Sequence, residues 1–385
     1  MDKHSVILTV FIIFTGAAIF STVALYIRQS LLVAYMLFGV IFGPWGLRAI
    51  SDIDLINRVD EIGIVFFMFL LGLHLHPQSL LRMMGKTIWV TLVTSSIFFA
   101  IGFITGYWYG YSLPENLILG VCMMFSSTIV SLKLLPTNTT YNQRTNEIMI
   151  SVLLLQDLLA ILALLCINIS TQNKPLISDI IQLVVALPAI LTFVFLVERF
   201  VLSKFFAKFS EVREYMLLIA ISWCLGIAEL AKIFGLSYEI GAFIAGIAIA
   251  ASPIAFYIDE QLRPIRDFFL VLFFFVIGAS FNLHYIGVIL VPTLILTTLF
   301  IVLKPLTFYL SLRLANETKN IAFEVGLRLG QLSEFSLLVV LLAYRSEVIT
   351  HSIIYLVQAV TMLMFITSSY LVVTRYPITP PKEQL

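Results

Sequence analysis

About thirteen apolar runs, most of them long enough to cross a bilayer, constrain this chain more than any other feature of it. A spanning helix needs about 20 mostly apolar residues. In hydrocarbon every backbone polar group must be satisfied internally, so runs of this length read as helices. Approximate spans are 5–27, 31–47, 60–80, 87–109, 114–135, 146–169 and 176–200. They continue at 212–233, 237–252, 266–282, 285–312, 321–344 and 351–374, with the second and ninth short. Composition agrees. The chain is 60% hydrophobic and 12% charged, where a soluble domain is about 45–50% apolar and about 25% charged. The mean hydropathy is +1.03. The fold expected is an all-α polytopic membrane protein. Its first run, Val6 to Ile27, exceeds a typical signal-peptide core and follows Asp2 and Lys3, whose charges cancel. It is expected to stay as the first transmembrane helix.

Basic residues set a topology. If thirteen helices alternate, one set of loops carries 15 Lys and Arg and the other carries 6. The positive-inside rule then puts the N-terminus outside and the C-terminus in the cytoplasm. A plasma membrane, the bacterial inner membrane, is the expected location. Residues 1–376 are expected to form the transmembrane domain, and 377–385 a short cytoplasmic tail.

Two stretches resemble each other. Residues 61–75 read EIGIVFFMFLLGLHL and residues 269–283 read FLVLFFFVIGASFNL. Each follows a short Gly-rich segment, with Gly39, Gly43 and Gly46 in one and Gly241 and Gly246 in the other. Helices two to six and nine to thirteen therefore read as five-helix repeats. An odd offset between matching helices makes the repeats inverted, an arrangement that puts a transporter's binding site near midplane. Gly39 and Gly43 alone fit helix packing.

Asp157 sits deep in the sixth run, between Glu147 and Asn168. A charge there costs roughly 2.5–3.5 kcal/mol on insertion scales, so its default reading is functional. The alternative to an ion- or proton-binding role for Asp157 is a carboxylate that merely pairs with a neighbouring helix. Its neighbour Gln156 offers a further oxygen to an ion or a hold on the carboxylate. Lys304, in the eleventh run, either pairs with Asp157 or snorkels toward the interface at Arg313. Ser126, Ser127 and Thr128 lie mid-run in helix five, and residues 330–335, GQLSEF, lie mid-run in helix twelve. Such polar clusters suit discontinuous helices whose freed backbone groups line a site. Small-residue packing also accounts for Ser126 to Thr128. Glu334 either compensates charge at the site or pairs with Arg328.

Other classes are disfavoured. There is no basic patch with interleaved aromatics, so no nucleic-acid partner is expected. Cys122, Cys166 and Cys224 fit neither a zinc site nor a disulfide framework. His74 and His76 are too little for a metal site. No HExxH or GxSxG occurs, so an enzyme is not expected. A gated potassium channel would show no obligatory proton coupling, and no TVGYG-type filter is present.

The run Leu153-Leu154-Leu155-Gln156-Asp157, with Ser126-Ser127-Thr128, LFFFVIG at 272–278 and GQLSEF at 330–335, resembles the monovalent cation:proton antiporter-2 family across nearly the whole chain. Gln156-Asp157 and the run from Gly43 to Arg48, GPWGLR, resemble its Kef-type potassium efflux branch. The resemblance implies a homodimer in membrane lipid. Each protomer would have a dimerisation domain and a core of helices four to six and eleven to thirteen. Helices five and twelve would be broken and cross beside Asp157, and Lys304 would be the family's lysine. Asp157, Gln156, Ser127 and Thr128 are then the ion and proton site, with Lys304 and Glu334 compensating charge. No tightly bound cofactor is implied, only transported potassium or sodium and a proton. Exchange by competition at one acid implies one cation per proton, electroneutral, through elevator-like alternating access. Kef-type proteins usually continue into a nucleotide-binding regulatory domain. Here no GxGxxG occurs, so a regulatory subunit or a missing cytoplasmic domain is an expected partner. The stretch Ile258 to Pro264 is expected to form a loop where that branch has an acidic regulatory one.

Overall fold

The structure, a computed structural model, describes residues 6–27, 29–50, 53–74, 77–128, 131, 143–170, 176–209, 212–250 and 255–375. The expected tail at 377–385, most of the fifth run beyond Ser131, and His76 lie outside the described residues. Every described helix falls on an apolar run or extends one, and no strand occurs among the described residues.

The first runs give α1 (Val6–Tyr26), α2 (Leu31–Phe42), α3 (Ile53–His74) and α4 (Pro77–Trp108). The fifth and sixth give α5 (Leu113–Met124) and α6 (Gln143–Ser170). Then come α7 (Leu176–Val197), a π-helical turn (Glu198–Leu202), α8 (Ser203–Phe209), α9 (Arg213–Ile233) and α10 (Tyr238–Ala250). The last runs give α11 (Ala255–Ala279), α12 (Ile286–Leu314), α13 (Lys319–Arg328), α14 (Glu334–Arg345) and α15 (His351–Arg375). The twelfth run is two helices, and the fifth stops at Met124 before helical backbone resumes at Thr128. Seven described helices are long and apolar enough to cross a membrane unaided. The broken and short ones depend on their neighbours.

One expectation fails. The stretch Ile258 to Pro264 is helical, inside α11. Ile258 and Leu262 lie four apart on one face and are buried, while Arg263 reaches Asp259 at 3.7 Å along the helix. That amphipathic turn holds the helix, and Pro264 removes only one hydrogen bond from it.

The chain divides into two compact units. One comprises Met1–Ile13, Asp52–Arg82 and Leu164–Val276; the other comprises Phe14–Ser51, Met83–Ala163 and Ile277–Leu385. In the first, α3 crosses α10 with backbones in contact. A Cβ on Gly72 would collide with the Phe243 carbonyl, and one on Gly246 with the Phe69 carbonyl. In the second, a Cβ on Gly278 would collide with the Met36 carbonyl of α2. Gly72 and Gly278 end the matching FMFLLG and FFFVIG of the two repeats. Each repeat thus uses its glycine to admit the short helix that opens the other. The similarity seen in sequence is a shared packing device.

Candidate ion site at two broken helices

The site lies wholly within the second unit. Ser112 and Glu115 form a capping box that starts α5, with Pro in its first turn. The helix ends where Phe125 turns extended, at φ −87° and ψ 150°. Serines follow, and serine competes with helix by bonding locally to backbone. On the other chain pass α13 ends at Arg328, and Ser333 caps the start of α14 by accepting from the Phe335 N–H at 3.1 Å.

The two breaks lie side by side and satisfy each other. Ser126 Oγ donates to the Leu329 carbonyl at 2.9 Å, and Ser131 Oγ to the Arg328 carbonyl at 3.1 Å. Ser336 Oγ donates to the Cys122 carbonyl at 2.5 Å. Gln331 Nε2 donates to Ser131 Oγ at 2.7 Å, while its Oε1 accepts from Ser368 Oγ of α15 at 2.8 Å. Carbonyls freed at each break are thereby answered by hydroxyls from both passes.

Lys304 joins the two. Its ammonium, fully buried, donates to the Phe125 carbonyl at 2.6 Å and to the Gln331 carbonyl at 3.1 Å. It also lies 5.0 Å from the Phe98 ring centroid. Each carbonyl lies just past the C-terminal end of a half-helix, where the dipole favours positive charge. Lys304 forms no salt bridge with Asp157 among the described residues. Snorkelling is ruled out by its burial. The glycines Gly326 and Gly330 admit Pro305 of α12 against α13, which brings Lys304 to this level.

Asp157 is 3% exposed on α6. Thr128 Oγ1 stands 3.5 and 3.4 Å from its two carboxylate oxygens, long for a hydroxyl bond. The carboxylate also feels the charge of Glu334, the first residue of α14. Burial and one loose hydroxyl leave the Asp157 carboxylate with little to offset a charge.

Gln156 bonds the backbone of the break. Its Oε1 accepts from the Ser126 N–H at 3.0 Å, and its Nε2 donates to the Met124 carbonyl at 3.1 Å. The side chain splints the break in α5 beside Asp157. Ser127 is buried at the same break, its carbonyl 3.5 Å from Gln331 Nε2. Arg328 pairs with Glu324 at 2.9 Å, both buried. Sequence reasoning missed Ser131, Gln331 as a hub, Ser368 and Glu324. Ser368 and Gln331 were visible as polar residues inside apolar runs.

A membrane protein whose discontinuous helices meet around a buried acid and a buried amine is built as a secondary ion carrier. Residues 9–373 match the sodium/hydrogen exchanger transmembrane family, and the chain belongs to it. K(+) efflux antiporter 4 of Arabidopsis thaliana is 28% identical over 352 residues, covering 89% of this chain and 59% of that protein. K(+) efflux antiporter 5 of the same plant is 29% identical over 378 residues, covering 94% and 65%. The chain thus spans less than two thirds of either. These relatives bear out the antiporter-2 resemblance. The solved sodium proton antiporter MjNhaP1 from Methanocaldococcus jannaschii shares the fold, with a TM-score of 0.66, 16% identity and 94% of each chain covered.

Proposed function

We propose that this protein exchanges a monovalent cation for a proton across the plasma membrane, with Asp157 as the group that binds either. The observation that carries this reading is a carboxylate, 3% exposed, whose hydroxyl partner among the described residues, Thr128, stands at bond-limit distance, while the ammonium of Lys304 is held by carbonyls. A buried carboxylate in that position favours neutralisation by a bound cation or proton. Competition between the two gives exchange, one cation per proton and electroneutral. Potassium is favoured, because the plant relatives are K(+) efflux antiporters; sodium remains a substrate to test.

Ser127 and Thr128 contribute oxygens at the break, and Gln156 keeps that break open beside the acid. Lys304 offsets the carbonyl ends, and Glu334 tunes the charge that Asp157 feels. The core of α4–α6 and α12–α15 carries the ion by an elevator-like movement against a dimerisation domain. The working unit is a homodimer in a bacterial inner membrane, N-terminus outside, with a cytoplasmic regulatory partner or domain.

Purified protein in proteoliposomes tests this. Imposed potassium or sodium gradients should move protons, without response to a clamped membrane potential. Cation flux with no proton movement would overturn exchange, and potential-driven flux would overturn electroneutrality.

A further inference from the structure

Two packed helices of the second unit carry a line of buried polar atoms that the ion site does not use. α12 and α15 are in contact, and one reversing pass, α13–α14, separates them, so they run parallel. Lys304 on α12 and Ser368 on α15 both bond Gln331, which fixes them at one depth. Seven residues before each stand Thr297 and Thr361. Eleven before Lys304 is Thr293, and ten before Ser368 is Gln358. Spacings of seven, ten and eleven keep residues on one helix face.

All four are at least nine-tenths buried, at 4% for Thr293, 6% for Thr297, 3% for Gln358 and 0% for Thr361. Thr293 Oγ1, Thr297 Oγ1, Thr361 Oγ1 and Gln358 Oε1 have no hydrogen-bond partner among the described residues. Other helical threonines, Thr91, Thr105, Thr367 and Thr374, bond back to a carbonyl four residues earlier, whereas buried Thr145 of α6 does not. Thr293, Thr297 and Thr361 decline that option. Buried polar groups are nearly always satisfied, by protein or by ordered water. At the head of the line His351, exposed, meets Tyr344 Oη at 2.6 Å, with Tyr285 and Tyr355 beside it.

We propose that the seam between α12 and α15 binds a file of water molecules. The file runs about 16 Å, eleven residues at about 1.5 Å each, from Thr293 down to the level of Lys304. It gives protons a route to the helix crossing separate from the oxygen ligands at Asp157. The route rests on the exchange reading; the hydration does not.

Radiolytic hydroxyl labelling of the purified full chain tests the water directly. Met364 lies on the seam, three residues after Thr361, and is fully buried; Met68 and Met216 are equally buried elsewhere. Met364 should be oxidised at least fivefold faster than those two. Equal rates overturn the water file, whatever the protein transports. Thr297→Val and Thr361→Val keep side-chain shape and remove the hydroxyls. Each should lower maximal proton flux about tenfold with the cation KM and melting temperature unchanged. Full flux in the double variant overturns the proton route.

Discussion

Lys304 and Phe125 are 179 residues apart in sequence, yet the Lys304 ammonium donates to the Phe125 carbonyl at 2.6 Å, and its second bond goes to Gln331 at 3.1 Å. One buried cation thus closes the C-terminal ends of two half-helices. Its role in this state is to complete the backbone of the crossing, and Asp157 is left to the hydroxyl of Thr128.

Replacing Asp157 by Asn should abolish proton-coupled cation flux and leave the fold intact. Asp157 has no salt bridge to lose among the described residues, and its carboxylate is buried, with the like charge of Glu334 acting on it. The melting temperature in detergent should therefore hold or rise. A fall of several degrees would instead make Asp157 a structural ion-pair partner.

Lys304→Met should destabilise the protein. Each buried carbonyl left bare costs about 1–3 kcal/mol, partly offset because an ammonium no longer needs desolvating. Lys304→Gln keeps a donor and should melt between the variant and the parent. Equal melting of Met, Gln and parent proteins would remove Lys304 from the crossing's support.

Gln156→Leu should cost about 1–3 kcal/mol, since the Ser126 N–H and the Met124 carbonyl both lose their partner. Flux should fall with stability, because the break in α5 loses its splint. Gln156→Glu keeps the acceptor but sets an oxygen against the Met124 carbonyl, so it should rescue little. Flux lost at full stability would return Gln156 to a purely ion-binding role.

The Arg328–Glu324 pair, 1% and 8% exposed at the side chain, predicts strong coupling. Removing either partner alone leaves a buried charge, which costs about 3–5 kcal/mol. The double variant Glu324→Gln with Arg328→Met should be less damaged than the two singles summed. Additive losses in thermal unfolding would show that the two residues do not act as a pair.

Much of the fold was legible in sequence because bilayer thickness fixes how long an apolar run must be. The breaks in the fifth and twelfth runs were legible too, since Ser126 to Thr128 and Gln331 to Glu334 put polar groups where hydrocarbon forbids them. The helical stretch Ile258 to Pro264 was misread as loop. Charge and Pro264 mark a membrane boundary, but a helix continues past that boundary when one face is buried.

The sequence by itself determined the helices, their repeat, and Asp157 as the costly residue, because each follows from local composition set against one solvent. Only the tertiary structure decided where polar side chains spend their hydrogen bonds. Lys304 goes to the carbonyls of Phe125 and Gln331 rather than to a carboxylate, and Gln156 to the break in α5. Those choices turn on backbone groups that no residue letter displays, freed where a helix stops and claimed by whichever donor the fold brings within about 3 Å.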